Sequence, residues 1–362
     1  MHVEKLPSGK WRAEVRVRGH RRRTAAVDTR NEALQLGAEL TLQMGGAPPV
    51  TTRVTVGDLV AAHISNVEFS GASPVTGQLY RDVVANVIPN EFLTRPAEDV
   101  TPPHLLALYR TLSASFSAHR LRQVHVVLSG AYRAAMGHGL IRSNPTSSAR
   151  PPRIPESNLT VPSPLEVQRL IAAASNDQHR LFLHLAAATG ARRGELAGLR
   201  WSALDLARAQ IAIEWSLVEA DHTLTERRTK TGCRGWREFS LDPTSVHLLQ
   251  AWRRRQVAAA VRSGMGDPIW PFGKHAGSEP VKPHSLTTTF MRTRTASGLS
   301  GFRLHDLRHF NATQLLAAGV DIRIVSYRLG HRSIQTTIDR YGHWIPGTDT
   351  AAAGLIGDIV TG

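Results

Sequence analysis

The spacing of apolar positions differs among three stretches of the chain, and each marks a region. In Lys10-Trp11-Arg12-Ala13-Glu14-Val15-Arg16-Val17-Arg18 the residues alternate, which predicts a strand with Trp11, Ala13, Val15 and Val17 on one face. Arg12, Arg16 and Arg18 fall on the other face. Gly19-His20 marks a turn, residues 21–27 read as a returning strand that begins with Arg21 and Arg22, and Leu34, Ala38 and Leu42 recur at helical spacing over 31–44. After the linker-like Gly45-Gly46-Ala47-Pro48-Pro49, residues 55–144 carry a helical period throughout. Val56, Leu59, Val60 and Ile64 form one stripe, residues 75–87 a second helix, and Thr101-Pro102 opens a third. A fourth, over 117–136, sets Leu121, Val124, Leu128 and Ala131 on one face, with Arg120, Arg122 and Arg133 outside it. Residues 146–162 are rich in Pro, Ser and Arg and read as a linker.

From Ser163 the periods mix. Ser163-Pro164-Leu165-Glu166 is a helix start, and the apolar run 181–188 predicts a helix ending at Thr189-Gly190. Strands follow at 210–217, 224–231 and 236–241, with Thr229-Lys230-Thr231-Gly232-Cys233-Arg234 on the hairpin between the last two. Helices return at 304, at 321–329 (stopped by Gly330) and after Ser333, where Ile334, Ile338 and Tyr341 form a stripe. Residues 351–359 read as a last helix.

Composition narrows the partner. Lys+Arg number 44 against 29 Asp+Glu, a net charge of +15, which favours a polyanion and nucleic acid before a membrane surface. One cysteine, Cys233, leaves no internal disulfide framework or cysteine-rich zinc site and fits a reducing cytosol. No apolar run approaches the roughly 20 residues of a membrane span, and Met1-His2-Val3-Glu4-Lys5 lacks the apolar core of a signal peptide. Only five of the 44 cations are lysines, so Lys230 on its hairpin stands out. A lysine near phosphate and other cations can be tuned to release a proton, whereas arginine holds its own.

Candidate chemistry collects in the third region. Arg192 and Glu195 are three apart and share a helical face, with Arg193 as the neighbouring alternative. His305, Arg308 and His309 follow one another on the helix that begins near Leu304. His305 and His309, four apart, also suggest zinc, but the acid between them is Asp306 rather than glutamate and Arg308 would set a cation beside the metal. Residues 320–341 would pass as a helix-turn-helix, and Tyr341 as a core tyrosine.

Three strings resemble the tyrosine recombinases, the phage integrase family. They are Thr189-Gly190-Ala191-Arg192-Arg193-Gly194-Glu195-Leu196, His305-Asp306-Leu307-Arg308-His309, and Leu329-Gly330-His331-Arg332-Ser333 running on to Asp339-Arg340-Tyr341. The N-terminal strands resemble an AP2-like arm-binding domain, and the helices closed by Gly139-Leu140-Ile141-Arg142-Ser143-Asn144-Pro145 resemble a SAM-like core-binding domain. The resemblance implies a multidomain α+β chain: an arm-type DNA-binding domain of sheet plus helix at 1–46, an all-α core-binding bundle at 52–147, a linker at 148–162, and a mainly α catalytic domain with a small antiparallel sheet at 163–362.

It implies a site-specific recombinase in which Tyr341 attacks a DNA phosphate to give a 3′-phosphotyrosyl bond. Arg192 and Arg308 would clamp the phosphate, His305 would be proton donor or acceptor, His331 would donate to a non-bridging oxygen, Lys230 would be the acid for the leaving 5′-oxygen, and Glu195 would orient Arg192. No metal, cofactor or ATP is implied. Arg12, Arg16, Arg18, Arg21, Arg22, Arg120 and Arg122 are the cations expected on DNA. The partners implied are double-stranded DNA with core and arm-type attachment sites, three further protomers of a tetramer, a host bending protein and an excision directionality factor. The implied location is on DNA in the cytoplasm of a bacterial host. Two other readings stay open at this point: a type IB-like topoisomerase, and a catalytically silent DNA-binding regulator.

Overall fold

The computed structural model describes residues 1–17, 19–44, 54–155, 160–221, 223–228, 236–344 and 349–361. Arg18, the Gly45–Pro49 linker and the 229–235 run with Lys230 and Cys233 lie outside the described residues. The chain divides into two compact units, Met1–Pro155 and Glu156–Gly362.

The first unit opens with an antiparallel sheet of order β1-β2-β3, formed by β1 (His2–Lys5), β2 (Trp11–Val17) and β3 (His20–Arg23). Helix α1 (Arg30–Gln43) backs it. Alternation in β2 does what it predicts: Ala13 and Val15 are buried. Two features differ from expectation. Strand β1 pairs with β2 although its four residues carry no legible alternation. The returning strand stops at Arg23, because between the pairs Glu14↔Arg23 and Trp11↔Val27 two residues of β2 oppose three, and that mismatch bulges the edge.

Next come α2 (Val56–Phe69), α3 (Pro74–Asn86), the single turn α4 (Asn90–Leu93), α5 (Pro102–Ser113) and α6 (Ala118–Gly137). A Thr55–Asp58 capping box starts α2, and the Ser117 hydroxyl accepts from Arg120 N at the start of α6. The expected stripes, Val56/Leu59/Val60/Ile64 and Leu121/Val124/Leu128/Ala131, are buried against one another.

The second unit runs from α7 (Pro164–Ala172) and α8 (Asp177–Thr189) to the single turn α9 (Arg193–Ala197). It continues through β4 (Leu204–Asp205), β5 (Gln210–Ile213), β6 (Trp215–Ala220), β7 (Thr223–Arg228) and β8 (Arg237–Ser240). The strand expected over 210–217 is broken at Glu214: β5 pairs with β4 and β8, whereas β6, among the described residues, pairs with β7 alone. Glu214 marks the change of partner and its carboxylate accepts from Trp236 Nε1 at 2.9 Å. Then follow α10 (Pro243–Arg262), the two-residue strands β9 (Gly273–Lys274) and β10 (Glu279–Pro280), and α11 (Pro283–Ala296). Last are α12 (Asp306–Ala317), α13 (Ile322–Leu329), α14 (Ile334–Tyr341) and α15 (Asp349–Thr361). The core rests on α8, with Phe182 edge-on to Phe272 and Phe290 edge-on to Phe302. Among the described residues no helix is long and apolar enough to cross a membrane.

Candidate active site

Helix α8 ends because Gly190 takes a left-handed φ of 63°, and the chain turns at once into α9. A Cβ on Gly190 would lie 2.8 Å from Leu329 and 2.9 Å from Asn311, so the turn is pressed against two later helices. Arg192 is the N-cap of α9: Glu195 Oε2 accepts from its backbone N at 2.8 Å, and Glu195 Oε1 from its guanidinium at 2.9 Å. The guanidinium also donates to the Gly330 carbonyl at 3.2 Å. Arg193, the alternative, turns instead to Thr287 Oγ1 at 2.7 Å.

Glu195 is 3% exposed, and a residue that sequence reasoning missed accounts for its burial. Arg237, at the start of β8 and 1% exposed, donates to Glu195 Oε2 at 2.8 Å and Oε1 at 3.2 Å. Burial alone would raise the Glu195 carboxyl, but Arg237, and after it Arg192, hold it well below the ordinary carboxylate range. Arg237 Nε donates to the Arg328 carbonyl at 2.7 Å, and a Cβ on Gly330 (φ 64°) would come within 2.8 Å of Arg237. Glycine at 330 is therefore required twice, by conformation and by space. The only sequence signal for Arg237 was its place in the third strand.

On α12, Arg308 is buried and donates to the carbonyls of Gly190 at 2.8 Å and Leu329 at 2.6 Å. Desolvation, followed by the nearby Arg192 charge, brings its pKa down to about 9. Three guanidiniums (Arg192, Arg237, Arg308) thus gather about one carboxylate (Glu195), leaving an excess of two positive charges suited to an anionic phosphate. Arg192, Arg308 and the exposed His305 line a cavity of about 690 Å³.

Tyr341 is 0% exposed, at the end of α14. The expected Ile334/Ile338/Tyr341 stripe is not the buried one: Ile334 and Ile338 are 39% and 40% exposed, while Thr337 and Tyr341 face inward. The helix turns this way because the Thr337 hydroxyl lies 2.7 Å from His331 Nδ1, so a polar side chain is satisfied inside. In the tautomer in which Thr337 donates to Nδ1, His331 carries its hydrogen on Nε2. Burial, then the surrounding arginines, lowers His331 to about 3, so the ring is neutral near pH 7. Its plane lies 7° from that of Tyr341. The Tyr341 hydroxyl meets His309 Nδ1 at 2.5 Å. Among the described residues no group of three or more His, Cys, Asp or Glu is arranged to hold a metal ion.

Five of the six expected catalytic residues, Arg192, His305, Arg308, His331 and Tyr341, therefore come together with Glu195; Lys230 lies outside the described residues. The expected DNA-binding arginines differ among themselves. Arg12 is paired with Glu4 at 2.6 Å and Arg21 with Glu14, whereas Arg16 and Arg22 are exposed and fall on opposite faces of the sheet. Arg120 ties α6 to Asp82 of α3. Arg122, by contrast, joins His63, His125, Arg133, Arg150 and Arg153 around a cavity of about 1210 Å³ in the helical bundle.

A family described as phage integrase matches residues 163–345. The ICEBs1 integrase of Bacillus subtilis (strain 168) is 24% identical, over 99% of this chain and 100% of that protein. A putative prophage phiRv2 integrase of Mycobacterium tuberculosis is also 24% identical, over 77% of this chain and 72% of its own length. Among solved structures, the Tn1549 transposon integrase in complex with a circular intermediate DNA has a TM-score of 0.69 at 18% identity, covering 84% of this chain and 99% of that one. A lambda integrase tetramer bound to a Holliday junction has a TM-score of 0.59 at 20% identity, covering 96% of each chain.

Proposed function

The chain belongs to the phage integrase family, and from that membership we propose that it is the integrase of a mobile element, cutting and rejoining DNA through Tyr341. The observation that carries the reading is the pair of guanidiniums, Arg192 and Arg308, anchored to backbone carbonyls on one cavity, with His331 and Tyr341 both within the electrostatic reach of that pair. Attack on a phosphodiester adds negative charge to the non-bridging oxygens. Donors already fixed in place stabilise that charge without reorganising as it forms. Arg192 and Arg308 take those oxygens, His331 donates through Nε2, and His305 faces the same cavity. Tyr341 bonds to phosphorus, and the leaving 5′-oxygen takes a proton from Lys230. The phosphotyrosyl link conserves the bond, so a 5′-hydroxyl of a partner strand can reverse the step without ATP.

In this reading residues 1–46 bind arm-type sites, 52–147 the core site, 148–162 link them, and 163–362 carry the chemistry. The basic cavity around Arg122 supports backbone contact by the helical bundle. The solved integrases on DNA, one of them a tetramer on a Holliday junction, support duplex DNA as the partner and four protomers as the working assembly. A host bending protein and a directionality factor complete the proposed set. The test is a nicked suicide duplex drawn from a pool of randomised cores. Wild type is expected to form a covalent adduct at Tyr341, and Tyr341→Phe none; an adduct retained by Tyr341→Phe overturns the reading. Relaxation of a supercoiled plasmid without an attachment site would indicate a topoisomerase instead.

A further inference from the structure

His309 stands outside the set of residues just assigned, yet it is the one hydrogen-bond partner of the Tyr341 hydroxyl among the described residues. It is 3% exposed on α12, one residue past Arg308, and its Nδ1 lies 2.5 Å from the phenolic oxygen. The other ring nitrogen, Nε2, faces Asp306 Oδ1 at 3.9 Å, and Asp306 is itself buried and accepts from Arg303 N at 2.6 Å. A carboxylate on that side favours the tautomer with hydrogen on Nε2, leaving Nδ1 as an acceptor aimed at the tyrosine. The other imidazoles are differently engaged: His331 Nδ1 is taken by Thr337, and His305 is exposed at the cavity with its ring edge-on to His309.

We infer that His309 is the general base of the cleavage step, accepting the Tyr341 phenolic proton on Nδ1 as the tyrosine oxygen bonds to phosphorus. This assignment rests on the recombinase reading above. In the step, the Tyr341 O–H bond breaks and the proton passes to His309 while the bond from phosphorus to the 5′-oxygen breaks and that oxygen takes the proton of Lys230. On rejoining, a 5′-hydroxyl attacks, its proton returns to the lysine, and His309 hands its own back to the departing phenolate. His305 is then left to the phosphate, and the two histidines of the motif divide the work between substrate and nucleophile.

The surroundings fit. The charged and titratable groups facing His309 are His305, Asp306 and Arg308 of its own turn and helix and Arg340 of α14. Desolvation, then His305, lowers its pKa to about 4, so the ring is neutral and able to accept near pH 7. Burial raises the Tyr341 phenol, with the cations Arg308, Arg340 and Arg192 opposing, so the tyrosine does not ionise unaided near neutrality.

The test compares wild type with His309→Asn, which keeps an acceptor near the Nδ1 position without a usable base, and with His309→Ala. Melting curves check that each folds. Adduct formation is timed on the nicked duplexes that wild type traps. His309→Asn is expected to slow it about 10²–10⁴-fold at neutral pH. Its rate should climb with pH while the wild-type rate stays flat, and added imidazole should restore part of the rate to folded His309→Ala. A folded His309→Asn with wild-type rate and pH profile overturns the assignment while leaving the recombinase reading intact. So does a faster adduct, which would make the hydrogen bond a restraint on the tyrosine. No Tyr341 adduct from wild type removes the recombinase reading and this assignment with it.

Discussion

The N-terminal sheet and the interior site both concentrate arginine, and they hold it in opposite ways. On the sheet, Arg12, Arg21 and Arg23 reach sideways to Glu4 and Glu14, at positions open to water. Such pairs are weak and screened, and a DNA phosphate can take the place of the carboxylate. Inside, Arg192, Arg237 and Arg308 are fixed by the carbonyls of Gly330, Arg328, Gly190 and Leu329 and by one buried carboxylate. A cation that must search for its phosphate suits binding, and one already aimed suits catalysis.

The sharpest way to break this contrast is to remove Glu195. Glu195→Ala leaves Arg237 buried and unpaired and is expected to cost about 3–5 kcal/mol of stability in urea unfolding of the full chain. A loss no larger than that of Glu4→Ala would place the two regions on a par. Arg308→Lys keeps the charge but not the fork that spans Gly190 and Leu329. Adduct formation should fall about 10²–10³-fold with little change in DNA affinity.

Acid separates the regions more gently. His309 and His331 have lowered pKa values, about 4 and about 3, against an ordinary 6.5. The fold favours their neutral forms, so their contribution is complete above pH 6.5 and is lost as pH falls through about 4. Glu14 is held at about 2, first by its hydrogen bond to Arg21, so the sheet's pairing is lost only below the ordinary carboxylate value of 4.5. Melting followed from pH 7 downward should show the catalytic unit weakening first, and His309→Asn should flatten that early fall. Smallest of all, Arg16→Ala should leave the melting temperature unchanged and reduce the salt slope of DNA binding by about 1. An unaltered slope would remove Arg16 from the DNA contacts.

Local signals were the legible ones. The Thr189–Leu199 string holds its own turn, cap and ion pair within one stretch, and the bundle stripes are read from period alone. The family and the mixed α+β fold follow from such strings. What escaped was set by distance. Arg237 is 42 residues from Glu195, and nothing in an alternating strand says that one of its residues will be drawn inward to a carboxylate. His309 was visible only as half of a zinc pattern, because its partner lies 32 residues on. The α14 stripe misled for a related reason: an apolar count favours Ile334 and Ile338, but a hydrogen bond between Thr337 and a histidine outside the helix decides which face turns in.

The separations across the site bear on how the chain is made. Arg308 reaches back 118 residues to Gly190, and Arg192 reaches forward 138 to Gly330. Contacts so distant along the sequence form only after the loops between them have closed, which places the site late in folding. The carbonyls that aim the two guanidiniums include those of Leu329 and Gly330, one short helix before the tyrosine itself. On the proposed function, a partly synthesised chain therefore has its DNA-binding segments before it has a phosphate clamp. Such a chain would find a duplex with no means of cutting it.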